Sequence, residues 1–182
     1  MNDLWVDVKI PFEPNNGLAM AYNRAIESTT AEWVLFLDHD LFICNPLWYE
    51  MCLDAIRQLK DKKVGWITAK CNRIACKAQK HVIEFDNNEL GYHIAVATEL
   101  YLDKGNEITQ TDADFSGFFI LTNKTAWRTA GGFKDVGKGL LGIDNDYRKR
   151  LAGAGFGLYV MEGLYFYHLY KKKVKAFAGF CK

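Results

Sequence analysis

Residues 4–10 (LWVDVKI) alternate apolar and polar side chains and stop at Pro11, the pattern of a strand running into a loop. Further on, Leu18, Ala21, Tyr22, Ala25 and Ile26 recur at intervals of three and four, which predicts a helix with one buried face, and Asn15 and Asn16 stand where its cap is expected. Residues 33–37 (WVLFL) are apolar without a break, so this strand is expected in the middle of a parallel sheet, covered on both faces. A helix over 46–59, opened by Pro46, and a strand over 64–69 (VGWITA) follow. From 70 to 110 the pattern fades, with loops expected first and then a helix over 89–102. A strand over 115–121 (FSGFFIL), a short helix over 124–129 before Gly131 and Gly132, a helix over 145–154 closed by Gly155, and strands over 156–160 and 164–170 complete the reading. Strands and helices that alternate without a repeat or linker predict an α/β fold. The expected architecture is a three-layer α/β/α sandwich on a mostly parallel sheet, with residues 1–170 as one domain and 171–182 as a basic, aromatic tail.

Composition narrows the class without changing that picture. The 182 residues are 49% hydrophobic and 14% aromatic with only 3 prolines, which gives a packed core and excludes wholesale disorder. The 23 basic and 22 acidic residues leave a net charge of +1, so no global field gathers nucleic acid, and an anionic ligand has to be gripped locally. Cys44, Cys52, Cys71, Cys76 and Cys181 are odd in number and scattered, and the close pair lacks the spacing of a zinc knuckle. They read as buried free thiols in a reducing compartment. No apolar run is long enough to span a membrane and the first residues are not a signal peptide, so a cytoplasmic location is expected. The terminal Lys171, Lys172, Lys173 and Lys175, with Phe177 and Phe180, read first as a solvated tail and second as a weak peripheral contact with an anionic membrane.

Candidate chemistry concentrates where the expected strands end. Asp38-His39-Asp40 follows the strand WVLFL, and carboxylates beyond the carboxyl end of a parallel strand lie in the usual ligand crevice. Two carboxylates in a closed cleft need a compensating charge, and a divalent cation such as Mg²⁺ or Mn²⁺ suits their oxygens. Read alone, the same triplet is a solvated turn. Asp144 and Asp146 open a helix that carries Arg148 and Arg150. There Asp144 serves either as an N-cap or as an acceptor of a substrate hydroxyl's proton, and Asp146 is spaced to pair with Arg150. His168, in the last strand on the face of Leu164 and Phe166, reads first as a core residue. His39 reads as a loop residue, and His81 and His93 have no partner at a ligand spacing.

Taken in order, LAMAYNRAIESTTAEWVLFLDHD (18–40), DFSGFFILTNKTAWRTAGGF (114–133), GIDNDYRKRLAGAG (142–155) and YFYHLY (165–170) resemble the glycosyltransferases of the GT-A fold, particularly family 2. The resemblance implies that Asp38 and Asp40 contact a nucleotide-sugar and its Mn²⁺ or Mg²⁺, with Asp40 the more direct ligand and His168 completing the metal site. It implies that Asp144 is the general base of an inverting enzyme, that Asn23 and Arg24 border the nucleotide, and that Gly117 lies where the backbone passes the donor sugar. It places Trp127 and the Gly131-Gly132 turn before an acceptor-side loop. The chain departs from the pattern in two places. Its first strand is followed almost at once by the AYN helix, and Ile143 stands where a glutamate usually precedes the base. The function implied is transfer of a sugar, from a UDP-sugar, to a hydroxyl of a glycan or lipid-linked glycan. The alternative is a non-catalytic nucleotide- or carbohydrate-binding protein on the same fold. A nucleotidyltransferase would need a basic, glycine-rich loop after the first strand, which EPNNG does not supply.

Overall fold

The computed structural model describes residues 4–12, 17–81, 87–136 and 142–169. Their elements run β1 (Val6–Lys9), α1 (Leu18–Ser28), β2 (Trp33–Leu37), β3 (Leu41–Ile43), α2 (Trp48–Gln58), β4 (Val64–Cys71), a 3-10 turn (Lys77–Gln79), α3 (Leu90–Lys104), β5 (Ile108–Gln110), β6 (Phe119–Asn123), α4 (Lys124–Thr129), α5 (Ile143–Gly153) and β7 (Gly157–His168). The strands form one sheet in the order β1-β2-β6-β4-β7-β3, with β5 also paired to β7. Four strands, β1, β2, β4 and β7, point the same way, as the parallel ladders β1–β2 and β4–β7 require. The sheet is nonetheless mixed, because β6 enters antiparallel between β2 and β4.

Helices cover both faces, as a three-layer α/β/α sandwich requires. Met51, Cys52, Ala55, Ile56 and Leu59, on or just beyond α2, pack against Leu35, Ile67, Phe119 and Phe166 on one face. On the other, Tyr22 and Ile26 of α1, Ala126 of α4 and Tyr147 and Leu151 of α5 pack against Val34, Phe36, Trp66 and Ile120. The uninterrupted WVLFL run is thus divided between two cores by strand alternation. Helix α3 closes over the far half of β7, where Val96, Ala97 and Leu100 meet Tyr165 and Tyr167.

Two expectations need correction. The segment expected as a strand over 115–121 enters the ladder only at Phe119, leaving 115–116 irregular and 117–118 in a turn. The two final strands are one strand of 12 residues, and its ladder with β4 shifts register between Thr68 and Lys70 instead of breaking. The short strands β3 and β5 were not legible, being only three residues each. Asn15, Asn16, Cys181 and the tail from residue 170 lie outside the described residues; the other four cysteines are free thiols. Among the described residues no helix is long and apolar enough to cross a membrane.

Candidate active site

The carboxyl ends of β2, β4 and β7 and the turn leading into β6 meet along one edge of the sheet, and Asp38, Asn72, Gly117 and His168 all lie there. Asp38 follows the last residue of β2, and its N–H donates to the Phe118 carbonyl at 3.0 Å, which ties the strand end to that turn. The chain then reverses into β3, whose antiparallel ladder sets Leu41 opposite His168. The Leu169 N–H continues the ladder to the Asp40 carbonyl at 3.0 Å. This three-residue ladder is what carries Asp40 to His168: Nε2 lies 3.3 Å from Asp40 Oδ1 and 3.8 Å from Asp38 Oδ2. The Phe118 ring stacks on the imidazole at a centroid distance of 5.9 Å.

Ligand atoms of Asp38, Asp40 and His168 all lie within 4.8 Å of one another. Two ligands of a small octahedral cation, each about 2.1 Å from it, are separated by up to about 4.2 Å, so the two histidine–carboxylate distances suit one ion. Carboxylate oxygens with an imidazole nitrogen match Mn²⁺ or Mg²⁺ by donor type. The histidine side chain is 9% exposed and the two carboxylates 40% and 29%, so the group opens to solvent on its acidic side.

Asp144 reaches the same edge from another direction. Helix α5 starts two residues earlier than the sequence indicated, and its N-cap is Gly142 at φ +87°, a left-handed conformation that favours glycine. Asp144 is therefore in the first turn and is not the cap. Its Oδ2 accepts the Gly117 N–H at 3.0 Å and its Oδ1 the Asn145 N–H at 2.8 Å. A side-chain carbon at position 117 would lie 3.3 Å from the Asp144 Cβ, so the glycine permits this approach. Asp146 instead pairs with Arg150 at 2.6 Å, the pairing its spacing suggested. Arg150 in turn donates to the carbonyls of Ala130 and Gly132.

The two acidic groups feel one another. Burial in the cleft raises Asp38 to about 6 from an ordinary 3.8; Asp40 and Asp144 add to the rise, against the pull of His168 and His39. Burial also raises the hydroxyl of Tyr22, and the charges of Asp38 and Asp144 push it further the same way. This tyrosine, read from the sequence only as part of a buried helix face, feels the charge of both halves of the site.

The other expected residues take different places. The Asn23 side chain braces a turn: its Oδ1 accepts from Trp127 Nε1 at 2.9 Å and from the Phe133 N–H at 2.8 Å, and its Nδ2 donates to the Phe133 carbonyl at 2.9 Å. Arg24 is exposed on α1, where it lines a groove of about 350 Å³ with Lys9, Ile10 and Phe12. His39 is exposed. His93 is buried, with Nε2 2.9 Å from the Asn87 carbonyl and Nδ1 2.7 Å from the Tyr165 hydroxyl; the carbonyl has to accept, so Nε2 carries the proton and the tyrosine donates to Nδ1. It is a core residue.

Residues 4–92, just under half of the chain, match the family described as glycosyl transferase family 2. No curated protein matches the chain. The matched half contains β1, α1, β2 and the Asp38-His39-Asp40 turn, and with the α/β sheet above it supports a GT-A type, family-2-like glycosyltransferase fold and a glycosyltransferase-like function.

Proposed function

We propose that the protein is a metal-dependent, inverting glycosyltransferase. It moves a sugar from a nucleoside diphosphate donor, a UDP-sugar, to a hydroxyl of a glycan or lipid-linked glycan, with residues 1–170 acting as a single domain. The observation that carries this reading is that Asp38, Asp40 and His168 converge at the strand ends while Asp144, from a separate helix, is held against the adjoining Gly117.

Asp40 and His168, with Asp38, would hold Mn²⁺ or Mg²⁺, which would supply charge neutralisation for the leaving diphosphate. Gly117 lies beside the donor sugar. The Asp144 carboxylate takes the proton of the acceptor hydroxyl as its oxygen forms a bond to the anomeric carbon. The bond from that carbon to the diphosphate oxygen breaks, and the nucleoside diphosphate leaves with the electron pair, so the anomeric configuration inverts. Gly117 N–H donates to the Asp144 oxygen Oδ2, fixing its direction. Asn23 and Arg24, the latter beside the groove at the end of β1, border the nucleotide. Incubating the full chain with a panel of UDP-sugars, Mn²⁺ and simple glycan acceptors tests the reading. Release of UDP that requires Mn²⁺ and is abolished by EDTA is expected; binding of UDP without turnover across the panel would instead favour the non-catalytic alternative.

A further inference from the structure

Two buried amide side chains from the segment after β4 each grip both backbone groups of one residue at the site's edge. Asn72 Oδ1 accepts the His168 N–H at 2.8 Å, and its Nδ2 donates to the His168 carbonyl at 3.3 Å. Gln79 Oε1 accepts the Ser116 N–H at 2.7 Å, and its Nε2 donates to the Ser116 carbonyl at 2.9 Å and to Thr68 Oγ1 at 2.8 Å. Asn72 is 1% and Gln79 0% exposed. Each makes the pair of bonds that a neighbouring strand would make, at places where the sheet has run out.

The two gripped residues belong to different halves of the site. His168 carries the imidazole that faces Asp38 and Asp40. Ser116 precedes Gly117, whose N–H holds Asp144. From these contacts we infer that the segment from Asn72 to Gln79 is a bracket with two separable positioning residues. Asn72 sets the backbone of the metal-side histidine, and Gln79 sets the turn that aims Asp144. Neither touches substrate; both act through a neighbour. The kinetic part of this inference rests on the proposed transfer reaction, whereas the geometric part does not.

The bracket is tested by a double dissociation on the full chain with Asn72→Leu and Gln79→Met, which remove the amides. Mn²⁺ titration is expected to show affinity about tenfold weaker or more for Asn72→Leu and within about twofold of the parent for Gln79→Met. At saturating Mn²⁺, donor and acceptor, Gln79→Met is expected to lower kcat at least about tenfold and to add little further loss in an Asp144→Asn background, since both changes act on one step. Asn72→Leu should regain most of its rate when Mn²⁺ is raised. Amide hydrogen exchange reads the geometry without turnover: Asn72→Leu should accelerate exchange at His168 and spare Ser116 and Gly117, and Gln79→Met should do the reverse. If either truncation fails to fold, Asn72→Asp and Gln79→Glu, which keep the acceptor oxygen and lose the donor, carry the same measurements. Both variants weakening metal affinity and kcat together, or exchange rising at both places in either one, overturns the bracket. Absence of transfer in the parent protein with the exchange pattern intact overturns the proposed reaction and leaves the bracket standing.

Discussion

The metal-side group and the Asp144 carboxylate lie at one edge of the sheet but are held by different means. Asp38, Asp40 and His168 sit at or one residue beyond strand ends whose backbones are tied into ladders, by β3 against β7 and by the bond from Asp38 to Phe118. Asp144 sits in the first turn of α5, where the Gly117 N–H from the turn before β6 donates to its Oδ2. A sheet edge fixes backbone positions in several directions at once, which suits three ligand atoms that must share one ion. A helix start positions this carboxylate through its own turn and two backbone donors, Gly117 and Asn145, with no ladder on either side, which leaves it easier to re-aim. Damage to the first region should therefore read out as lost cation binding, and damage to the second as lost rate with binding intact.

The largest expected effect tests the second half of that contrast. Asp144→Asn removes the proton acceptor and keeps the shape, so transfer should fall by about two to four orders of magnitude while Mn²⁺ and UDP affinities stay unchanged. Loss of cation binding in that variant would merge the two regions into one. Next, Asp40→Ala should weaken Mn²⁺ binding by at least about a hundredfold. The extra thermal stabilisation that Mn²⁺ and UDP give together should go with it, because a ligand specific for the folded state stabilises it by mass action. An undiminished melting shift would remove Asp40 from the group.

A backbone change sharpens the comparison next. Gly142→Ala places a side chain at φ +87° and should cost about 1–2 kcal/mol in urea unfolding, with Mn²⁺ affinity preserved. A smaller effect concerns pH. Asp38 is raised from 3.8 to about 6 on folding, so the folded chain holds this proton more tightly than the unfolded one. Without metal, stability should then decline as pH rises from about 4 through 6, and Asp38→Asn should flatten that slope. Stabilisation by Mn²⁺ should run the opposite way, growing over the same range as the carboxylate becomes free to bind. The smallest change is Asp146→Asn. Arg150 keeps its bonds to the Ala130 and Gly132 carbonyls, so less than about 1 kcal/mol of stability and little activity should be lost. Abolished transfer in Asp146→Asn, with Asp144→Asn active, would move the base role by two residues.

The hydrophobic pattern alone determined the α/β alternation, the limits of β2 and α4, and the two-sided burial of β2, because long runs and three-to-four spacing report burial directly. The order of the Asp38-His39-Asp40 turn, the SGFF segment and the late histidine was also legible, and the family-2 match over 4–92 supports the fold reading drawn from it. Convergence was not. His168 meets Asp40 through a three-residue strand too short to carry a period, and Asp144 meets Gly117 across a turn that reads as strand because FSGFFIL is mostly apolar. Asn72 and Gln79 fall in the stretch without pattern, where a buried amide and a solvated one look alike in one dimension. Strand periodicity reports which way a side chain faces, but only the closed sheet decides which strand ends lie together, since that depends on pairing between segments about a hundred residues apart.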